Sequence, residues 1–105
     1  MIFIARQTEI LENLSQILYK NRPNEYDYIY CEYNYLDEYD TVSSALSFQI
    51  ESKFYDLDLS DGDPTKNMEL SLELRSLMKN STGGEWTSFV LTLDKNGQTR
   101  TKFMY

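Results

Sequence analysis

The chain has 105 residues, ten Lys or Arg against 17 Asp or Glu, a net charge of −7, 41% hydrophobic residues and one cysteine. That length and balance predict one globular domain, exclude an intrachain disulfide, and contain no apolar run near the ~18 residues of a membrane span. Histidine is absent, so Ser-His-Asp and Cys-His catalysis and histidine-ligated metal sites are excluded and an enzyme becomes the minority reading.

The opening Met1 to Ile10 has no basic leader region and no small-residue cleavage site. It predicts no secretory signal, and with the lone Cys31 it points to a reducing, cytoplasmic setting. Ile10, Leu11, Leu14, Ile17 and Leu18 form one helical stripe, predicting a helix from about Ala5 or Thr8 to Tyr19 that stops before Asn21-Arg22-Pro23; Met1 to Ile4 stay open. From Glu25 the period becomes two. Tyr26, Tyr28 and Tyr30 fall on one face, and Ile29, Cys31, Tyr33 and Tyr35 on the other. After a turn near Asp37 to Asp40, a second strand puts Val42, Ser44, Leu46, Phe48 and Ile50 on one side, so the sheet is packed on one face and wet on the other. Lys53 to Leu59 reads as a third, edge strand because its alternate positions are acidic.

Asp63-Pro64 reads as an N-cap followed by proline at the first helical position. Met68, Leu70, Leu72 and Leu74 alternate like a strand, yet the segment is rich in helix formers and has no β-branched residue after Thr65, which predicts a helix to about Lys79. On its wheel Leu70, Leu74, Leu77 and Met78 group together while Met68 and Leu72 lie opposite, facing a partner, a second layer or, as the plainer expectation, a neighbouring loop. Trp86 to Leu93 predicts a strand, Asp94-Lys95-Asn96-Gly97 a hairpin turn, and Gln98 to Tyr105 the returning strand. The expected fold is a single-domain α+β architecture spanning 1–105. It has element order α-β-β-β-α-β-β, a mainly antiparallel sheet of about five strands, and two helices on one face.

Charge is unevenly placed. Pro23 to Ser52 contains no Lys or Arg, and from Glu25 to Asp63 only Lys53 offsets eleven acids. Direct nucleic-acid binding needs the opposite sign. A solvated face explains such acidity on its own, but six of the nine tyrosines, all between Tyr26 and Tyr39, lie among the acids from Glu25 to Asp40, and tyrosine supplies large contact area at low entropic cost. Together they point to a surface for a basic partner. Its candidate residues are Tyr26, Tyr28, Glu32, Asp37, Glu38, Tyr39 and Asp40, with Asp56, Asp58, Asp61 and Asp63.

Catalytic and metal-binding patterns are weaker. A calcium loop starting at Asp56 would need glycine at 61 and an acid at 67, where Asp61 and Asn67 stand. Gly83-Gly84 lacks the company of a phosphate loop, and Cys31 has no neighbouring base. No catalytic residue, cofactor, metal or small-molecule substrate is expected.

The stretch from Trp86 through Leu91 and Leu93 to Asp94-Lys95-Asn96-Gly97, followed by Phe103 and Tyr105, resembles the C-terminal hairpin of the YezG-like family of small bacterial antitoxin and immunity proteins. The upstream layout is also similar, whereas family members continue past the aromatic strand with an acidic tail and this sequence ends at Tyr105. The resemblance implies a cytoplasmic protein that binds and neutralises a cognate toxin domain, often a nuclease, as in contact-dependent growth inhibition. A basic nuclease cleft bound one-to-one by the acidic, tyrosine-rich surface is the expected arrangement. The alternative is an acidic adaptor or nucleic-acid mimic that binds several basic proteins.

Overall fold

The computed structural model describes residues 2–105 and, at Ile2 to Ile4, Ser81 and Thr82, the backbone only. Its elements are α1 (Ile2–Lys20), β1 (Tyr28–Leu36), a 3-10 turn (Asp37–Tyr39), β2 (Thr41–Ile50), β3 (Lys53–Asp56), α2 (Asp63–Thr82), β4 (Ser88–Asp94) and β5 (Thr99–Met104). The expected order and α+β class are therefore present. The sheet is antiparallel throughout in the order β3-β2-β1-β4-β5, with β1 central and β3 and β5 at the edges.

α1 extends further towards the N-terminus than the apolar stripe alone predicts, and Met1 lies outside the described residues. Ile10, Leu14, Ile17 and Leu18 are buried, the i, i+4, i+7, i+8 face that the spacing dictates. Its end is closed by Asn21, whose backbone N–H and side-chain Nδ2 both reach the Ile17 carbonyl oxygen, at 3.2 and 2.8 Å. The Asn21 Oδ1 then accepts from the Ser60 N–H and hydroxyl at 2.8 Å each, tying α1 to the loop that leads into α2.

The two helices run antiparallel, Arg6 meeting Glu73 at one end and Lys20 meeting Asp63 at the other. α2 lies over β2 and α1 over β4, both on the same face of the sheet. Between them and the sheet, Ile29, Cys31 and Tyr33 of β1 and Phe89, Leu91 and Leu93 of β4 are buried with Val42, Leu70, Leu74 and Trp86. Tyr33 stacks on Phe89 with centroids 4.3 Å apart, and Trp86 meets Phe89 edge-on at 4.8 Å. Such aromatic pairs add about 1 kcal/mol each beyond their buried area.

Four expectations are corrected. β3 ends at Asp56 rather than Leu59, because Leu57 and Leu59 turn inward to pack on the core. The N-cap of α2 is Gly62, with Asp63 already inside the helix and no side-chain cap. α2 continues past Lys79 to Thr82, closed by Gly83 at φ +73, whose N–H reaches the Lys79 carbonyl. Trp86 precedes β4 instead of opening it. The inner face of α2 also carries fully buried Asn67 and Ser71 beside Leu70 and Leu74, while Leu72 packs against the core rim.

Candidate partner-binding site

The eleven candidate residues do not form one patch. Asp37, Glu38, Tyr39 and Asp40 cap one end of the β1–β2 hairpin, all exposed. Tyr28, Glu32 and Asp56 lie on the sheet face that the helices leave uncovered, which the cross-strand register puts on one side with Tyr30, Gln49 and Phe54. Asp58 and Asp61 are exposed on the loop before α2.

Two candidates turn inward, Asp63 buried and Tyr26 half-buried. Asp63 is 7% exposed; its carboxylate accepts from Asn21 Nδ2 at 2.9 Å and pairs with Lys20 Nζ at 3.2 Å. These contacts, Asn21 first and Lys20 next, hold its carboxyl below the usual range against a smaller burial effect. Tyr26 precedes β1 and packs on the core side, opposite the face shared by Tyr28 and Tyr30, with its hydroxyl donating to the Asp94 carbonyl at 3.2 Å. The period-two pattern therefore fails at Tyr26, because the chain there is not yet a strand.

The acidic turn is the most projecting group. Tyr39 is 72% exposed and Leu36 38%, side by side with Asp37, Glu38 and Asp40. Its conformation is pinned from below. Asp40 sits at φ +46, and its carboxylate accepts the Tyr35 hydroxyl at 2.7 Å. The Arg75 guanidinium lies 3.5 Å over the Tyr35 ring and donates through Nε to the Trp86 carbonyl at 3.0 Å. The chain of contacts from Asp40 to the buried Trp86 fixes the turn to the core, with a cation–π contact of about 1 kcal/mol at such a site. The hydrogen bond to Asp40 also raises the Tyr35 hydroxyl pKa. Beside the turn a hollow of about 560 Å³ opens between Tyr35, Asp40, Leu72, Glu73, Arg75 and Lys79.

On the uncovered sheet face, Tyr28, Tyr30 and Phe54 form an aromatic run with centroids 6.0 and 5.9 Å apart. Phe54 is 63% exposed and Tyr28 44%. Phe54 is absent from the sequence-derived set; its place two residues before Asp56 on an edge strand is the signal that could have found it, since both then share a face.

Cys31 is fully buried, and burial pushes its thiol up to about 11, with the neighbouring Tyr33 and Asn67 side chains opposing the shift. A thiol so placed stays protonated at neutral pH. The Asp56 to Asp63 acids do not converge: among the described residues no three Cys, Asp or Glu side chains are grouped to hold a metal ion. No helix in the described residues is long and apolar enough to cross a membrane. No family model matches the chain, nor does any curated protein.

Proposed function

We propose that this protein is an immunity protein, binding a cognate bacterial toxin domain one-to-one and neutralising it by occupancy rather than turnover. The observation that carries the reading is the acidic turn. A 72% exposed tyrosine stands among three carboxylates, on a backbone held rigid through Tyr35 and Arg75. A preorganised aromatic anchor loses little entropy on binding, and carboxylates beside it steer a basic cleft towards it. A nuclease toxin must hold phosphates, so its cleft is of the sign this turn selects. The hollow beside the turn offers Arg75 and Leu72 to whatever side chain flanks that cleft. The resemblance of the C-terminal hairpin to YezG-like proteins supports the same reading. A carboxylate enzyme would want acids with raised pKa values, whereas Asp63 and Glu73 shift downwards, each through a hydrogen-bonded partner.

Tagged protein co-expressed with the product of the neighbouring gene and washed at high salt should retain one partner in equimolar amount. Reversing Asp37 and Glu38 to Lys, with Asp40 left in place to hold Tyr35, should slow association by about tenfold or more and flatten its salt dependence without changing the fold. Binding of many basic proteins, all lost at moderate salt, would replace the immunity reading with a nucleic-acid mimic. Unchanged association of the Asp37→Lys/Glu38→Lys variant would remove the turn from the interface.

A further inference from the structure

The uncovered sheet face is aromatic in its middle and oppositely charged at its two edges. One cross-strand row runs Asp56, Ser47, Tyr30, Thr92, Arg100. The next runs Ala45, Glu32, Val90, Lys102. Beyond Asp56, whose successor Leu57 still donates its N–H to the Leu46 carbonyl at 3.3 Å, exposed Asp58 follows on the loop that leaves this edge. Acids therefore border one edge and bases the other, about 19 Å away over four strand spacings. All four charged side chains are exposed, and no ion pair among the described residues engages them. Phe54 projects at the acidic edge, one row before Asp56. In the corresponding row at the basic edge lies a hollow of about 310 Å³ lined by Tyr28, Tyr30, Thr92, Asp94, Gln98 and Arg100.

We propose that this face is a two-fold interface between two copies of the chain. A two-fold axis parallel to β1 and midway between two facing sheets reverses the strand order of one copy over the other while keeping each row in register. The acidic edge of each copy then covers the basic edge of its mate: Asp56 faces Arg100, and Phe54 meets the hollow beside Arg100. Tyr30 lies on the axis against its own counterpart. A wholly basic partner would meet Arg100 and Lys102 with like charge, and a wholly acidic one would meet Asp56 and Asp58. The face fits a partner with the same pattern reversed, which a second copy supplies. Contact of two such small sheets covers on the order of 1,000 Å², the lower end of specific interfaces, and the axis brings Glu32 towards its own counterpart. The dimer is accordingly weak, forming in the micromolar range and loosened by salt. The turn at Asp37 to Asp40 lies beyond the strand ends and stays free, so the dimer and the toxin reading stand or fall separately.

Sedimentation equilibrium of the full chain tests this. A monomer–dimer equilibrium that weakens with added salt is expected. Asp56→Lys and Arg100→Glu should each weaken self-association by about tenfold or more, with circular dichroism unchanged because both side chains are exposed. An equimolar mixture of the two variants should regain wild-type-like association, since each carries the charge that the other's altered edge requires. The two positions are too far apart in one chain for that rescue to arise within a monomer. A wild type that stays monomeric through hundreds of micromolar, or a mixture no tighter than its components, would overturn the proposal.

Discussion

Asn67 is the residue at which amphipathic reasoning meets its limit. It stands on the core face of α2 and is fully buried, yet no apolar stripe announces it. Its Oδ1 accepts the Tyr33 hydroxyl at 2.7 Å, and its Nδ2 points to Ser44 Oγ at 3.4 Å and Cys31 Sγ at 3.8 Å. A buried amide is tolerable because those partners surround it. Tyr33→Phe keeps the ring against Phe89 but leaves Oδ1 dry. It should lower stability by about 1–3 kcal/mol, read as a shift in urea midpoint at constant m-value. Adding Asn67→Leu should cost less than the sum of the two single changes, because no buried acceptor is then left unmet. Asp63 teaches the same lesson from the other side. Alone it reads as a cap or a surface acid, and only the approach of Lys20 and Asn21, 43 and 42 positions away, makes it an internal tie.

Among elements, the β4–β5 and β2–β3 hairpin turns differ in how plainly the sequence marks them. The β4–β5 connection holds Asn96-Gly97, and Gly97 adopts φ +84, following a turn closed by its N–H on the Asp94 carbonyl at 3.0 Å. Asp94 Oδ1 also accepts the Asn96 and Gln98 N–H groups, both at 2.9 Å. The β2–β3 connection is a two-residue turn, Ile50 pairing with Lys53. Glu51 and Ser52 there sit at φ +47 and +69, a geometry that Asn-Gly normally supplies. Each non-glycine residue in that region carries about 1 kcal/mol of backbone strain. Ser52→Gly should therefore raise stability by roughly 0.5–1 kcal/mol after the added chain entropy is counted, visible as a higher urea midpoint. The acids made β3 readable as an edge, but its shortness has an apolar cause. Beyond Asp56 the apolar side chains Leu57 and Leu59 gain more from the core than from a lone ladder.

At the scale of the whole molecule, α1 and α2 are held in line by two charged links, Arg6 with Glu73 and Lys20 with Asp63. Arg6 engages both oxygens of Glu73, at 2.6 and 2.8 Å. Hydrogen bonds from Arg6 pull the Glu73 carboxyl down, as Asn21 and Lys20 do for Asp63. The unfolded chain consequently binds protons at these sites more readily than the folded one. Their contribution is present at neutral pH and is lost as pH falls from about 4 through the lowered folded values. Urea midpoints measured from neutral to acid pH should drop in that window, and Asp63→Asn should drop less steeply there while starting lower at neutral pH.

The element order, the antiparallel sheet and the helix pair were legible in the sequence alone because apolar periodicity reports which face of each element is buried, and burial is the main driving force of folding. The acidic, tyrosine-rich composition of the middle of the chain was equally plain. Only the tertiary structure decided which of those acids and tyrosines share a surface. It turned Tyr26 and Asp63 inward, left the turn at Tyr39 projecting, and put Asp56 in one cross-strand row with Arg100 across a sheet whose edges are far apart in sequence. Periodicity is a local property, readable residue by residue. Charge pairing and shared exposure depend on strand order and on contacts between distant positions, which no local pattern encodes.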